Sequence, residues 1–213
     1  KKLKKTIQTA IRMLDNVIDL NFYPTAEAEN SNLKNRPIGL GLMGLHDVLH
    51  QFNIPIDSDE AVSFSDGLFE FYSFNAIEAS SAVAKERGKY QTYEGSLWSQ
   101  DKLPIDSHKD LMDYRGVDYD YSVQSKYSQL KSSDWDGLRE NIKQHGMRNS
   151  NVMAIAPTAT IGYINGVEQS IEPNFSVLFV YENKSGNFFI INEHFVNDMK
   201  KRGLWNPEIS TLV

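Results

Sequence analysis

Leu3, Ile7, Ile11, Leu14 and Ile18 recur at steps of three and four residues, the period of an amphipathic helix that needs a surface to lie on. This predicts a helix over the first twenty residues, stopped before Pro24. A polar, Asn-rich stretch follows over 25–35. Arg36-Pro37 then opens the apolar, glycine-spaced run 38–45, which reads as a buried strand turning into a helix near His46 that ends by Asn53-Ile54-Pro55. Asp57 or Ser58 can cap the next helix, with Asp59 and Glu60 in its first turn, and Val62, Leu68, Phe69, Tyr72, Ile77 and Val83 carry it to Gly88. Between Asp106 and Ser133 the chain is rich in Tyr, Ser and Asp and poor in aliphatics, which predicts a surface excursion at about 107–132. Ser133-Asp134-Trp135-Asp136 can start a helix running to His145, with Gly146 as its stop. Residues 152–156 form a short apolar strand ended by Pro157. Residues 177–181 pair with 188–191 as a hairpin, and a last helix runs over 192–202 to Gly203. The sum is a mixed α/β chain in which helices alternate with isolated buried strands.

With 40% hydrophobic and 23% charged residues, the 213-residue chain has the makings of a packed core, and disorder is not the default. The balance of 22 basic against 28 acidic residues, net −6, opposes a broad electrostatic grip on nucleic acid or anionic membrane. The one dense basic cluster, Lys1, Lys2, Lys4 and Lys5, continues into the first helix and reads as its solvated start. No apolar run approaches the roughly 20 residues that span a bilayer, so neither membrane nor nucleic acid is an expected partner, and a cytoplasmic location is expected. The chain has no cysteine, which removes disulfides, thiolate nucleophiles and cysteine metal ligands from consideration.

Three motifs compete for chemistry. Gly39, Gly41 and Gly44 have the spacing G-x-G-x-x-G ahead of a helix, as a dinucleotide turn would. However, a helix beginning near Ser58 stands where such a unit needs its second strand and terminal acid, so close packing of small residues is the better reading. His46 and His50 lie one helical turn apart, a zinc-pair spacing, but no third ligand is evident and no metal site is expected. The Tyr119, Tyr121 and Tyr127 cluster is expected in packing or an interface. The third motif is Pro157-Thr158-Ala159-Thr160-Ile161, where an apolar strand breaks into small and hydroxylated residues. Backbone N–H groups freed at a strand end, two Thr hydroxyls and a following helix dipole together make an anion cradle. No P-loop lysine accompanies it, so ATP hydrolysis is not indicated, and a plain turn with capping threonines accounts for the same residues.

Taken as a whole, Arg148-Asn149-Ser150-Asn151 leading through 152–156 into Pro157-Thr158-Ala159-Thr160-Ile161-Gly162, followed by Gln169-Ser170-Ile171-Glu172-Pro173, resembles the large subunit of class I ribonucleotide reductases. Arg36-Pro37-Ile38-Gly39-Leu40-Gly41, Ala84-Lys85-Glu86-Arg87-Gly88, Tyr93-Glu94-Gly95-Ser96 and Lys102-Leu103-Pro104-Ile105-Asp106 follow the family's order as well. The resemblance covers nearly all of this chain and a minority of such a subunit. It implies that residues 1–213 are a single segment of a ten-stranded α/β barrel. In that barrel Pro157, Thr158, Ala159, Thr160 and Ile161 would hold the phosphates of a ribonucleoside di- or triphosphate. The family's catalytic cysteines, with their Asn and Glu helpers, are expected outside these residues, so no catalytic residue and no cofactor are assigned here. The radical would come from a metal-containing small subunit, and the remainder of the large subunit would be a partner. Unpaired barrel edges predict self-association. Relatives often carry Cys at position 152, here Val, and a different pair at Gly162-Tyr163, which leaves the role of Tyr163 open. The cobalamin-dependent class II reductases share a similar loop. An autonomous phosphate-binding module without redox chemistry is the alternative from another class.

Overall fold

A computed structural model describes residues 1–118, 120, 125–184 and 186–212. Tyr119 and Tyr121, the middle of the expected excursion and one position of the hairpin turn lie outside these. The chain divides into two compact units, one of residues 1–41 and 63–154, the other of 42–62 and 155–213.

In the first unit, helix α1 (Lys2–Leu20) buries Ile7, Ile11 and Ile18, three of the periodic positions, together with Asp15. The polar stretch after it is a helix, α2 (Ala26–Asn35), an element the sequence reading did not assign. Thr25 caps it by accepting a hydrogen bond from the Ala28 amide at 3.2 Å, and Glu27 and Glu29 sit in the first turn where the dipole favours them. The long helix α4 (Asp59–Arg87) begins where Ser58 accepts from the Ala61 amide, as expected. Ion pairs Lys4–Glu78 (2.7 Å) and Arg12–Glu86 (2.5 Å) join α1 to α4 at the same sequence offset, so the two helices run side by side in the same direction.

The first part of the expected excursion, 107–115, is also helical. Helix α5 (Pro104–Arg115) starts with Asp106 accepting from the Leu103 amide (2.8 Å), while Arg139 of helix α6 (Ser132–His145) forks onto the same carboxylate at 2.7 and 2.9 Å. The returning segment lies close on α4: a Cβ on Gly67 would meet the Tyr127 backbone at 2.8 Å. The sheet content is smaller than expected. Residues 38–40 and 151–154 run parallel, with Leu40 N–H donating to Val152 O (3.0 Å) and Ala154 N–H to Leu40 O (3.2 Å), but only one bridge, Leu40 to Met153, forms. Val152 is buried while Ala154, Ile155 and Ala156 are exposed, so the expected buried strand over 152–156 is buried only at its start.

The second unit contains helix α3 (Leu45–Phe52), the short helix α7 (Ala159–Asn165), the antiparallel hairpin β1 (Leu178–Asn183) and β2 (Gly186–Ile191), helix α8 (Glu193–Lys201) and a small helix α9 (Pro207–Leu212) that the sequence pattern did not announce. The hairpin register pairs Tyr181 with Phe188, in agreement with the sequence reading. Asn192 caps α8 by accepting from the Phe195 amide (3.0 Å).

Candidate functional site

Within the first unit a buried charge cluster fixes Arg36, Arg148 and Asn149. Asp15, with no solvent exposure, accepts from Arg36 Nε (2.9 Å), Arg87 (3.1 Å), Arg148 Nε (3.3 Å) and Asn149 Nδ2 (3.2 Å). Asn149 also donates to Arg36 O (3.1 Å) and accepts from the Ser80 hydroxyl (2.9 Å). A carboxylate taken wholly out of water is tolerable only with such partners. Arg36-Pro37 and Arg148-Asn149 are therefore scaffold: they bind to one another's surroundings and bring 38–40 beside 151–154. At the rim, Arg36 also forks onto Asp19 (2.7 and 2.8 Å), a hydrogen bond that holds the Asp19 carboxyl below its usual range.

The glycines of the G-x-G-x-x-G spacing are spent on packing. A Cβ on Gly39 would lie 2.8 Å from the Ala154 Cβ, Gly41 O accepts from the Tyr72 hydroxyl (2.7 Å), and Gly44 sits at φ 78° with its N–H on Glu168 O (2.8 Å). Burial pushes the Tyr72 phenol up to about 12, so it stays a neutral donor.

The loop itself belongs to the second unit. Pro157 is exposed, Thr158 is half-buried, and Ala159, Thr160 and Ile161 are exposed. The structure corrects the sequence reading here: α7 begins at Ala159, so Ala159, Thr160 and Ile161 are a helical first turn, not loop. Their amides precede the first intrahelical bond, which Gly162 makes to Thr158 O (2.9 Å). Thr158 stands at φ 52°, and its Oγ1 accepts from the Ser170 amide at 2.8 Å. Ile155, Ala156 and Pro157 face the returning residues 169–175 across an open recess of about 580 Å³. Tyr163 turns away from the loop onto the hairpin, with ring centroids 4.5 Å from Tyr181 and 6.4 Å from Phe179, and burial raises its phenol.

Behind the recess a polar network joins α3, residues 168–174 and α8. Asp47 Oδ2 accepts from the Glu168 amide (2.6 Å), His46 Nδ1 from the Asn174 amide (2.8 Å), and Asn174 Oδ1 meets His50 Nε2 (3.1 Å) and Asn192 Nδ2 (3.0 Å). The two histidines of the zinc-like spacing are thus hydrogen-bonding posts, and His194, 3.6 Å from Asp47, completes a column of three imidazoles. Sequence reasoning did not find Asp47, Glu168, Ser170, Asn174 and Asn192 as supports of the loop; the one local signal was an Asp on the buried face of a short helix.

Comparison with known proteins identifies the family. The family model described as "Ribonucleotide reductase, barrel domain" matches residues 1–213. The chain is 52% identical over 208 residues to the ribonucleoside-diphosphate reductase subunit alpha of Chlamydia pneumoniae, covering 98% of this chain and 19% of that one. It is 38% identical to the large chain of Encephalitozoon cuniculi, over 94% of this chain and 24% of the relative, and 38% identical to the large subunit of Caenorhabditis elegans, over 98% and 24%. The chain thus spans about a fifth to a quarter of the length of these relatives. By the whole-chain match and these identities, it belongs to the barrel-domain family of ribonucleotide reductases.

Proposed function

We propose that this chain is a segment of a ribonucleoside-diphosphate reductase large subunit and builds the part of its substrate site that holds the nucleotide phosphates. The observation that carries the reading is the exposed run Ala159-Thr160-Ile161, which follows Pro157 of the recess lining, with the amides of the first turn of α7 ahead of any intrahelical bond. An unpaired amide or hydroxyl aimed at an anion is a strong, charge-assisted donor. The amides of Ala159, Thr160 and Ile161 and the hydroxyl of Thr160 would donate to phosphate oxygens, and Pro157 would end the strand before them. Residues 157–161 contain no lysine or arginine, so what they would themselves offer a phosphate is backbone and hydroxyl dipoles.

The parallel pair 38–40 and 151–154 would supply two staves of a ten-stranded barrel whose other staves lie elsewhere in the subunit. Without a cysteine this chain has no S–H to donate a hydrogen atom, and the thioethers of its six methionines cannot replace one. Hydrogen abstraction and reduction of the ribose would therefore be performed by cysteines of the remaining subunit, with the radical supplied by a small subunit. Cytoplasmic deoxynucleotide synthesis is the corresponding role.

The test is a titration of CDP into the full-length large subunit that carries this segment. Thr160→Val keeps the shape and deletes one hydroxyl donor to a charged group, at a cost of about 1.5–3 kcal/mol, or roughly tenfold or more in affinity. Unchanged CDP affinity would move the phosphate site elsewhere.

A further inference from the structure

We infer that Thr158 is a positioning residue for the phosphate-binding turn, acting through the backbone amide of Ser170; the inference rests on the phosphate reading of 157–161. Thr158 and Ser170 both stand in the left-handed backbone region, at φ 52° and 50°. Side chains with a Cβ enter that region only where surrounding structure holds them there, and a β-branched residue such as threonine does so least readily. What joins the two is one hydrogen bond, from Ser170 N–H to Thr158 Oγ1 at 2.8 Å, with Ser170 buried.

The consequences of that bond run forward into the turn. Thr158 O takes the Gly162 amide at 2.9 Å and so opens α7, which places the amides of Ala159, Thr160 and Ile161. A helix of seven residues has too little length to set its own direction. Its seat is the returning chain: a Cβ on Gly162 would lie 3.1 Å from Val167 O and 3.3 Å from Gln169 Cα, so the helix lies directly on 167–169. That returning chain is itself held at Glu168, whose N–H donates to Asp47 (2.6 Å) and whose O accepts from the Gly44 amide (2.8 Å). A line of support therefore runs from α3 through Glu168 and Ser170 to Thr158 and the first turn of α7. Because Thr158 Oγ1 accepts from Ser170, its hydroxyl contributes to the site by fixing the turn, and Thr160 is the residue whose hydroxyl is exposed and unconstrained by that bond.

The experiment compares the full-length subunit with Thr158→Val, Thr158→Ser and Thr160→Val, using amide hydrogen exchange at Ser170 without nucleotide and binding of CDP against cytidine. Thr158→Val keeps the branched shape and loses the acceptor. It is expected to speed Ser170 exchange about tenfold or more and to weaken CDP about tenfold, with cytidine unchanged. Thr158→Ser restores both, because Ser keeps the Oγ acceptor. Thr160→Val weakens CDP and leaves Ser170 exchange as it was. Thr158→Val weakening CDP with Ser170 still protected would overturn the inference, since Thr158 would then act by direct contact. So would loss of protection with CDP binding intact while Thr160→Val still weakens CDP. If neither valine variant moves CDP affinity, the phosphate reading falls and takes the inference with it.

Discussion

Asp15 has three guanidinium groups and one carboxamide around a carboxylate without solvent exposure. Asp15→Asn would keep the volume and leave those cations facing a neutral amide, and breaking a buried pair from one side costs about 3–5 kcal/mol. Asp19, half exposed on the same Arg36, is screened by water, so Asp19→Asn should cost no more than about 1 kcal/mol. Urea denaturation of the two variants measures the contrast; equal losses would mean that burial of Asp15 contributes nothing special. The sign of the pH effect also follows. Arg36 lowers the Asp19 pKa in the folded state, so the contribution is complete above the unfolded value near ~4 and is lost as pH falls through the folded one. The sequence offered Arg36, Arg148 and Asn149 as markers but not their partner. Asp15 lies in phase with Ile11 and Ile18 on the buried side of α1, and a carboxylate there makes sense only once the residues facing it, 21 to 134 positions away, are known.

Elements with regular periodicity or strong caps were legible: α1, α4, α6, the hairpin and α8 stand where apolar spacing, Ser58, Gly146 and Asn192 put them. Helices α2 and α5 were not, because both have few buried residues and depend on Thr25 and on the Asp106–Arg139 fork. The 152–156 strand is less regular than its composition implied, since its regular partner is limited to residues 38–40, and strand propensity acts only through neighbours. The α3 network makes a prediction at this scale. His46 must be neutral to accept the Asn174 amide on Nδ1, and burial, reinforced by the charge of His50, lowers its pKa. A histidine with a depressed folded pKa stabilises fully above its unfolded value of about 6.5, and stability declines as pH falls from there toward the folded pKa. His46→Asn, which retains an acceptor but does not titrate, should flatten that slope in denaturation measured at about pH 7.5 and about pH 5.5. A slope unchanged by the substitution would assign the titration to another group.

For the molecule as a whole, the proposed role as a segment leaves the thiol chemistry to cysteines that these 213 residues do not contain. The purified chain should convert no labelled CDP to dCDP with a dithiol reductant, and turnover by it alone would contradict the segment reading. Phe175, Ile164 and Phe189 are more than three-quarters exposed, a degree of apolar exposure that favours association. Light scattering should show mass rising with concentration; a monomer throughout would count against it.

The buried carboxylate of Asp15 also sets a timetable. Its partner Arg148 is 133 residues further along the chain, and at a synthesis rate of roughly 5–20 residues per second that separation lasts about 7–27 s. During that interval α1 can form and lie on other surfaces, but its one buried charge has no Arg148 or Asn149 to meet. The first unit is therefore completed late and all at once, by contacts whose long closure makes folding slow. A chain stalled before residue 148 should leave α1 open to proteases, and extension past residue 149 should close it.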